Sequence, residues 1–218
     1  MPLALFDLDN TLLAGDSDHL WGRHLVDLGV VDGDHYERAN QQFYDDYRAG
    51  CLDIDAFLRF SLAPLRQHPL ETLEQWREDF LRKHIEPIML TAARALVEQH
   101  RRAGDTLIII TATNAFVTAP IAARFGIEHL IATEPACAAG RYTGEIVGSP
   151  AFREGKVERL HQWLATHQAT LTGSTFYSDS INDVPLLETV DVPVAIDPDP
   201  RLAALARERG WPIRSLRG

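Results

Sequence analysis

The chain has 218 residues, 45% of them hydrophobic and 24% charged, an ordinary balance for a globular protein with room for a sizeable core. Its formal net charge of -10 argues against a broad nucleic-acid or anionic-membrane footprint, which needs the opposite sign, so no such partner is expected. Cys51 and Cys137 form no CxxC pair and read as small core residues of a reducing compartment; with no basic leader and no apolar run near the roughly 20 residues of a membrane span, a cytoplasmic location is expected.

Pro2 to Leu8 is an apolar run that stops at acids, the pattern of a buried strand. From Asp16 to about Glu86 the chain is rich in Leu, Arg, Glu, Gln and aromatics at helical spacing. Four helices fit there, with Asp16, Asp32 and Asp53 as candidate N-caps. Pro87 marks a boundary, after which the pattern alternates. Thr91–Ala103 reads as a helix closed by Gly104, Thr106–Ile110 as a β-branched strand, Ala115–Phe125 as a helix and His129–Thr133 as a strand. Gly140 and Gly144 suggest a hairpin over 138–147. A helix is expected over 155–165, a strand over 174–178, a short helix over 184–188, a strand over 190–196, a helix over 201–209 and a final strand over 211–216. Alternating strands and helices predict an α/β fold with a Rossmann-like parallel sheet covered on both faces. The helical block of residues 16–86 would be inserted after the first strand and overhang the carboxyl ends of the strands, where ligands bind in open sheets. The expected division is therefore a core of residues 1–15 and 87–218 and a helical cap of residues 16–86.

The chemistry-bearing residues fall at predicted strand ends. Asp7 and Asp9 are two apart and would project together from the end of an extended segment, where two close carboxylates require a cation or a proton. Thr111 follows the strand Leu107–Ile110 and can donate to an anion. Lys156 stands at a helix start, where an anion nearby would resolve an unfavourable dipole contact. Asp179 and Asp183 follow the strand at Thr175–Tyr177 and are four apart, close enough to face one site in a helical turn. Each has an innocuous reading alone: a turn, a cap or a surface charge. Together they supply a nucleophile, an acid, oxygen-binding donors and oxygen ligands for Mg²⁺, the inventory of phosphoryl transfer.

The pattern resembles the haloacid dehalogenase superfamily, and within it the phosphoserine-phosphatase-like branch. FDLDNTLL (6–13) resembles the DxDxT nucleophile motif, IITAT (109–113) the second motif, Lys156 in EGK the third, and YSDSINDVPLL (177–187) the fourth, with Ser178 where glycine is common. The helical block matches the position of the family's C1 cap. The resemblance implies that Asp7 attacks phosphorus and forms an aspartyl-phosphate, and that Asp9 protonates the leaving alkoxide and then activates water. It further implies that Asp7, the backbone carbonyl of Asp9 and Asp179 bind Mg²⁺, that Asp183 supports the metal shell or pairs with Lys156, and that Thr111, Lys156 and Asn182 hold the phosphoryl oxygens. Dehalogenases need no acid at the position of Asp9, whereas expulsion of an alkoxide does, so Asp9 favours phosphate esters.

Specificity is expected from the cap. In the phosphoserine phosphatases an acid about nine residues after the nucleophile holds the substrate amine, and an arginine deeper in the cap holds its carboxylate. Asp16 and Arg59 stand at the matching places, with Asp18 and His19 beside the former. The sequence is also similar to bacterial members of this branch assigned to histidinol phosphate, which carries an amine but no carboxylate. The expected substrate is a small, amine-bearing phosphate ester. Rival readings are a phosphotransferase or phosphomutase with the same intermediate, a shorter receiver module, and a non-catalytic phospho-ligand binding module. No zinc spacing, P-loop or GxGxxG occurs.

Overall fold

The computed structural model describes residues 1–217. Strand β1 (Leu3–Phe6) is buried along its whole length, and its side chains alternate between two cores. Ala4 and Phe6 face one cluster with Ile109, Tyr177 and Val194, while Leu3 and Leu5 face the other with Ile108, Ile110 and Phe176. This two-sided burial is what a near-continuous apolar run gives in a parallel sheet. The chain leaves β1 through a wide helical turn at Leu8–Leu12, in which Asn10 adopts φ 58°.

Five helices follow: α1 (Ser17–Asp27), α2 (Gly33–Ala49), α3 (Ile54–Ser61), α4 (Ala63–Gln67) and α5 (Leu70–Phe80). The expected count was four; Pro64 in the first turn of α4 splits off a short additional helix. Asp16, Asp32 and Asp53 are the N-caps of α1, α2 and α3, accepting from the backbone N–H groups of His19, His35 and Ala56. The block shares its apolar interior with the sheet: Trp21 of α1 meets Phe80 of α5 edge-on at 5.3 Å and Phe116 of the core at 5.7 Å.

The remainder alternates as α6 (Thr91–Ala103), β2 (Thr106–Asn114), α7 (Ala115–Arg124), β3 (His129–Ala138), β4 (Arg141–Val147), α8 (Glu154–His167), β5 (Thr175–Ser178), α9 (Val184–Leu187), β6 (Val192–Ile196), α10 (Pro200–Arg209) and β7 (Ile213–Arg214). The strand order is β4-β3-β2-β1-β5-β6-β7; all pairings are parallel except β3 with β4. After β1 the chain builds outward through β2 and β3, then returns to place β5 on the other side of β1. That reversal opens a crevice at the carboxyl ends of β1, β2 and β5.

Several local expectations are corrected. Strand β2 runs on to Asn114 through a shift of register, so Thr111 lies within it and not after it. The expected hairpin over 138–147 is larger, because β3 extends to Ala138 and its outer half pairs with β4. The last strand shrinks to two residues. Cys51 and Cys137 are exposed, since one follows the end of α2 and the other nears the hairpin tip. Among the described residues no helix is long and apolar enough to cross a membrane.

Candidate active site

The crevice gathers the four separated stretches. Lys156, 1% exposed, places its Nζ 2.8 Å from Asp7 Oδ1 and 2.7–2.8 Å from the two oxygens of Asp183. Asp183 also accepts from the Ser178 hydroxyl at 2.7 Å. Lys156 reaches this position because α8 begins in a tight turn. A Cβ on Gly155 would stand 2.0 Å from the Pro150 carbonyl oxygen, so only glycine lets the chain pass there. Burial works against the ammonium, but Asp183 and Asp7 outweigh it and hold Lys156 protonated, above the ordinary lysine range.

Asp9 is fixed from two other elements. The Ser17 N–H donates to its Oδ1 at 2.6 Å and the Thr113 hydroxyl to its Oδ2 at 2.8 Å. Burial first, then the charge of Asp16, pushes Asp9 up to about 7. Burial also pushes Asp7 up to about 7; Lys156 opposes the rise, and Asp183 and Asp9 add to it. The Thr11 hydroxyl lies 3.1 Å from Asp179 Oδ1 and 3.5 Å from Asp7 Oδ2, so both carboxylates converge on one point. Asp179 is raised well above the usual carboxylate range by burial, then by Asp7 and Asp183.

The donor set fits Mg²⁺. Four buried carboxylates, those of Asp7, Asp9, Asp179 and Asp183, face one buried ammonium, and the surplus negative charge calls for a hard cation with oxygen ligands. Among the described residues no group of three or more His, Cys, Asp or Glu side chains is placed to hold a metal ion on its own, so an ion here would keep several of its waters.

Asp7 and Asp9 open onto a cavity between sheet and helical block. Its floor carries Thr111 and Thr113, and its roof Asp16, Asp18, His19, Asn40, Tyr44 and the rings of Phe43 and Phe57. Thr111 is buried, and its hydroxyl also accepts from the Thr113 N–H at 3.3 Å. Asp16 is partly committed already, since its Oδ1 caps α1 at 2.8 Å from the His19 N–H.

Two expected residues lie elsewhere. Arg59 does not reach this cavity; it is exposed on α3 and lines a separate groove with Arg66 and Gly144. The reason is the helix phase, which turns Leu58 inward and Arg59 out. Asn182, expected at the phosphoryl oxygens, instead donates from Nδ2 to the Tyr47 carbonyl at 2.9 Å. It shares the end of α2 with two arginines of the core: Arg201 donates to the Ala49 carbonyl at 2.6 Å, and Arg153 donates to the Gly50 carbonyl and to Asn182 Oδ1.

Sequence reasoning missed Thr113, Ser17 and Arg153. Thr113 had a usable signal, for in an extended strand it shares a face with Thr111 two residues before it. Ser17 acts through its backbone and Arg153 at φ 50°, neither of which a side-chain pattern announces.

A profile of haloacid dehalogenase-like hydrolases matches residues 4–188. A histidinol-phosphatase of Neisseria meningitidis is 47% identical, over 99% of this chain and 99% of that protein. A phosphoserine phosphatase of Mycobacterium tuberculosis is 35% identical, over 98% of this chain and 70% of its own length. A solved protein of unknown function from Bordetella pertussis Tohama I superposes with a TM-score of 0.93 at 46% identity, covering 99% of this chain and 98% of that one. A phospho-aspartyl intermediate analogue of phosphoserine phosphatase shares the fold, with a TM-score of 0.72 at 18% identity over 99% of this chain and 93% of that chain. The chain therefore belongs to the haloacid dehalogenase-like hydrolase family, as one of its phosphatases.

Proposed function

We propose that this phosphatase is Mg²⁺-dependent, works through an aspartyl-phosphate on Asp7, and acts on a small, amine-bearing phosphomonoester of the histidinol phosphate or phosphoserine type. The observation that carries the reading is the arrangement at the cavity floor: Asp7 is paired to Lys156, with Asp9 held beside it by donors from two other elements. The names of the two curated relatives support the substrate class. In this reading residues 16–86 act as the cap and the remainder as the catalytic core.

The Asp7 carboxylate attacks phosphorus while the bond to the ester oxygen breaks. Asp9 gives that oxygen its proton, and the alcohol leaves. Asp9, now ionised, takes a proton from water, whose oxygen attacks phosphorus and releases orthophosphate from Asp7. The two donors on Asp9 assign both tasks to one oxygen. The Ser17 N–H can only donate and keeps Oδ1 unprotonated, whereas the Thr113 hydroxyl can donate to an ionised Oδ2 or accept from a protonated one. A group near 7 is suited to both halves of the cycle at neutral pH. Lys156 offsets the charge of Asp7 as a dianionic ester approaches, and Thr111 supplies a hydroxyl donor at the floor. Asp7, Asp179 and the backbone carbonyl of Asp9 would hold Mg²⁺, which when bound neutralises charge on the phosphoryl group.

A phosphate-ester panel assayed with Mg²⁺, with EDTA and with Asp7→Asn tests the reading. Phosphate release should need the metal and fall at least about 1,000-fold in Asp7→Asn, as expected for loss of a nucleophile. Equal release by wild type and Asp7→Asn would remove Asp7 from the mechanism.

A further inference from the structure

We infer that Asp18 is the residue that selects the substrate, by receiving an ammonium group, and that the cavity is built for amino-alcohol phosphates that lack a carboxylate. The inference rests on the reading of the floor as a phosphomonoesterase site and assigns the opposite wall.

Three observations carry it. The first is the state of Asp18. Its side chain lines the cavity and is only 9% exposed, yet no side chain or N–H among the described residues donates a hydrogen bond to its carboxylate. A buried carboxylate without a donor is unfavourable, and a cation entering the cavity would satisfy it with a charge-assisted bond. Asp16 is the weaker candidate despite its position in the sequence, because holding the first turn of α1 already employs one of its oxygens. The second is His19 on the same wall. Its Nδ1 is buried without a partner, and burial followed by the charge of Arg23 keeps the ring on the neutral side. A neutral imidazole on that wall does not contribute the positive charge that a carboxylate would seek. The third is what the lining omits. Among the described residues no Lys or Arg lines this cavity, and Arg59 faces another groove. A substrate carboxylate would therefore find no counter-charge in the lining and would meet the Asp16 carboxylate, an element of selectivity by exclusion.

The chemistry predicts an order among three esters of similar size: 2-aminopropyl phosphate, with the amine alone; propyl phosphate, with neither group; and O-phosphoserine, with amine and carboxylate. Wild-type enzyme with Mg²⁺ should prefer the first over the second by about 10- to 100-fold in kcat/KM, the range of a charge-assisted hydrogen bond in a buried site. O-phosphoserine should fall below the first. In Asp18→Asn the ratio of the first to the second should drop to near one, with the change carried mainly by KM. Calorimetric titration of 2-aminopropyl phosphate into Asp7→Asn and into Asp7→Asn/Asp18→Asn gives a second readout, in which Kd should rise by the same factor. A wild-type enzyme that ranks propyl phosphate or O-phosphoserine level with 2-aminopropyl phosphate would overturn the inference. So would an Asp18→Asn enzyme that keeps the wild-type ratio. If wild type and Asp7→Asn hydrolyse all three esters equally, the reading of the floor fails, and the calorimetric comparison still decides the role of Asp18.

Discussion

The two walls of the cleft treat buried charge in opposite ways. On the sheet side each carboxylate has a fixed partner: Asp7 and Asp183 share Lys156, Asp9 takes donors from Ser17 and Thr113, and Asp179 takes the Thr11 hydroxyl. On the helical side Asp18 and the His19 Nδ1 are buried and unmatched. The first wall is preorganised for a reaction whose charges are the same for every ester. The second is left to be completed by whichever molecule arrives. On the proposed reading chemistry and selectivity lie on opposite walls, joined at the Ser17 N–H of α1, and altering the lining of one wall should not produce the symptoms of altering the other.

The sharpest way to break this contrast is to remove the shared cation. Lys156→Ala leaves Asp7 and Asp183 buried without a counter-charge, and the expected loss is about 3–5 kcal/mol of stability, read by urea unfolding in EDTA. A loss below about 1 kcal/mol would mean that the pairing contributes little to the fold.

A smaller effect follows from pH. Asp7 and Asp9 sit near 7 and Asp16 near 6 in the folded protein, all above their ordinary value of 3.8. The folded chain therefore binds more protons than the unfolded one between these values. The stabilisation is fully present below the ordinary value and is lost as pH rises through the folded ones. Without metal, wild type should lose about 1–3 kcal/mol between pH 6 and pH 8, read as a lower midpoint of thermal unfolding. Added Mg²⁺ should shrink the difference. A midpoint that rises with pH in EDTA would show that these carboxylates are stabilised as anions by the protein alone.

The smallest effect lies away from the cleft. Asp53 caps α3 through the Ala56 N–H at 3.0 Å and is exposed. Asp53→Ala should cost about 1 kcal/mol and leave kcat and KM unchanged, distinguishing an acid that serves only its helix from one that serves the cavity. A change in KM would show that the stability of α3 feeds into the site.

Much of this was legible in the sequence because the sheet-side chemistry is carried by side chains at strand ends. An apolar run ending in Asp7 and Asp9, and a second ending near Asp179, announce both the sheet and the edge at which it binds. The helical wall was less legible for a physical reason. Its lining comes from single residues on four turns of amphipathic helix, and a rotation of one position separates Leu58 inside from Arg59 outside. Backbone donors such as the Ser17 N–H leave no mark in residue types, and the extension of β3 beyond Thr133 passes through Pro135, a residue that ordinarily argues against a strand. Asn182 shows the remaining difficulty: its place in the fourth motif was readable, but its partner, a carbonyl of α2 at 135 positions' remove, was not.

That partner has a mechanical consequence. The seam where α2 meets the sheet side carries three polar stitches, with Asn182, Arg201 and Arg153 gripping the carbonyls of Tyr47, Ala49 and Gly50 at the negative end of the helix dipole, beside a ring contact of Tyr47 with Phe152. Gly50 closes that helix at φ 69°, and a methyl group there would collide with the Arg201 guanidinium at 2.5 Å. Stitches of this kind cost little to undo, because water replaces each lost bond. Parting of α2 from the sheet side at this seam would break those three bonds and leave the apolar contacts of Trp21 with Phe80 and Phe116 intact.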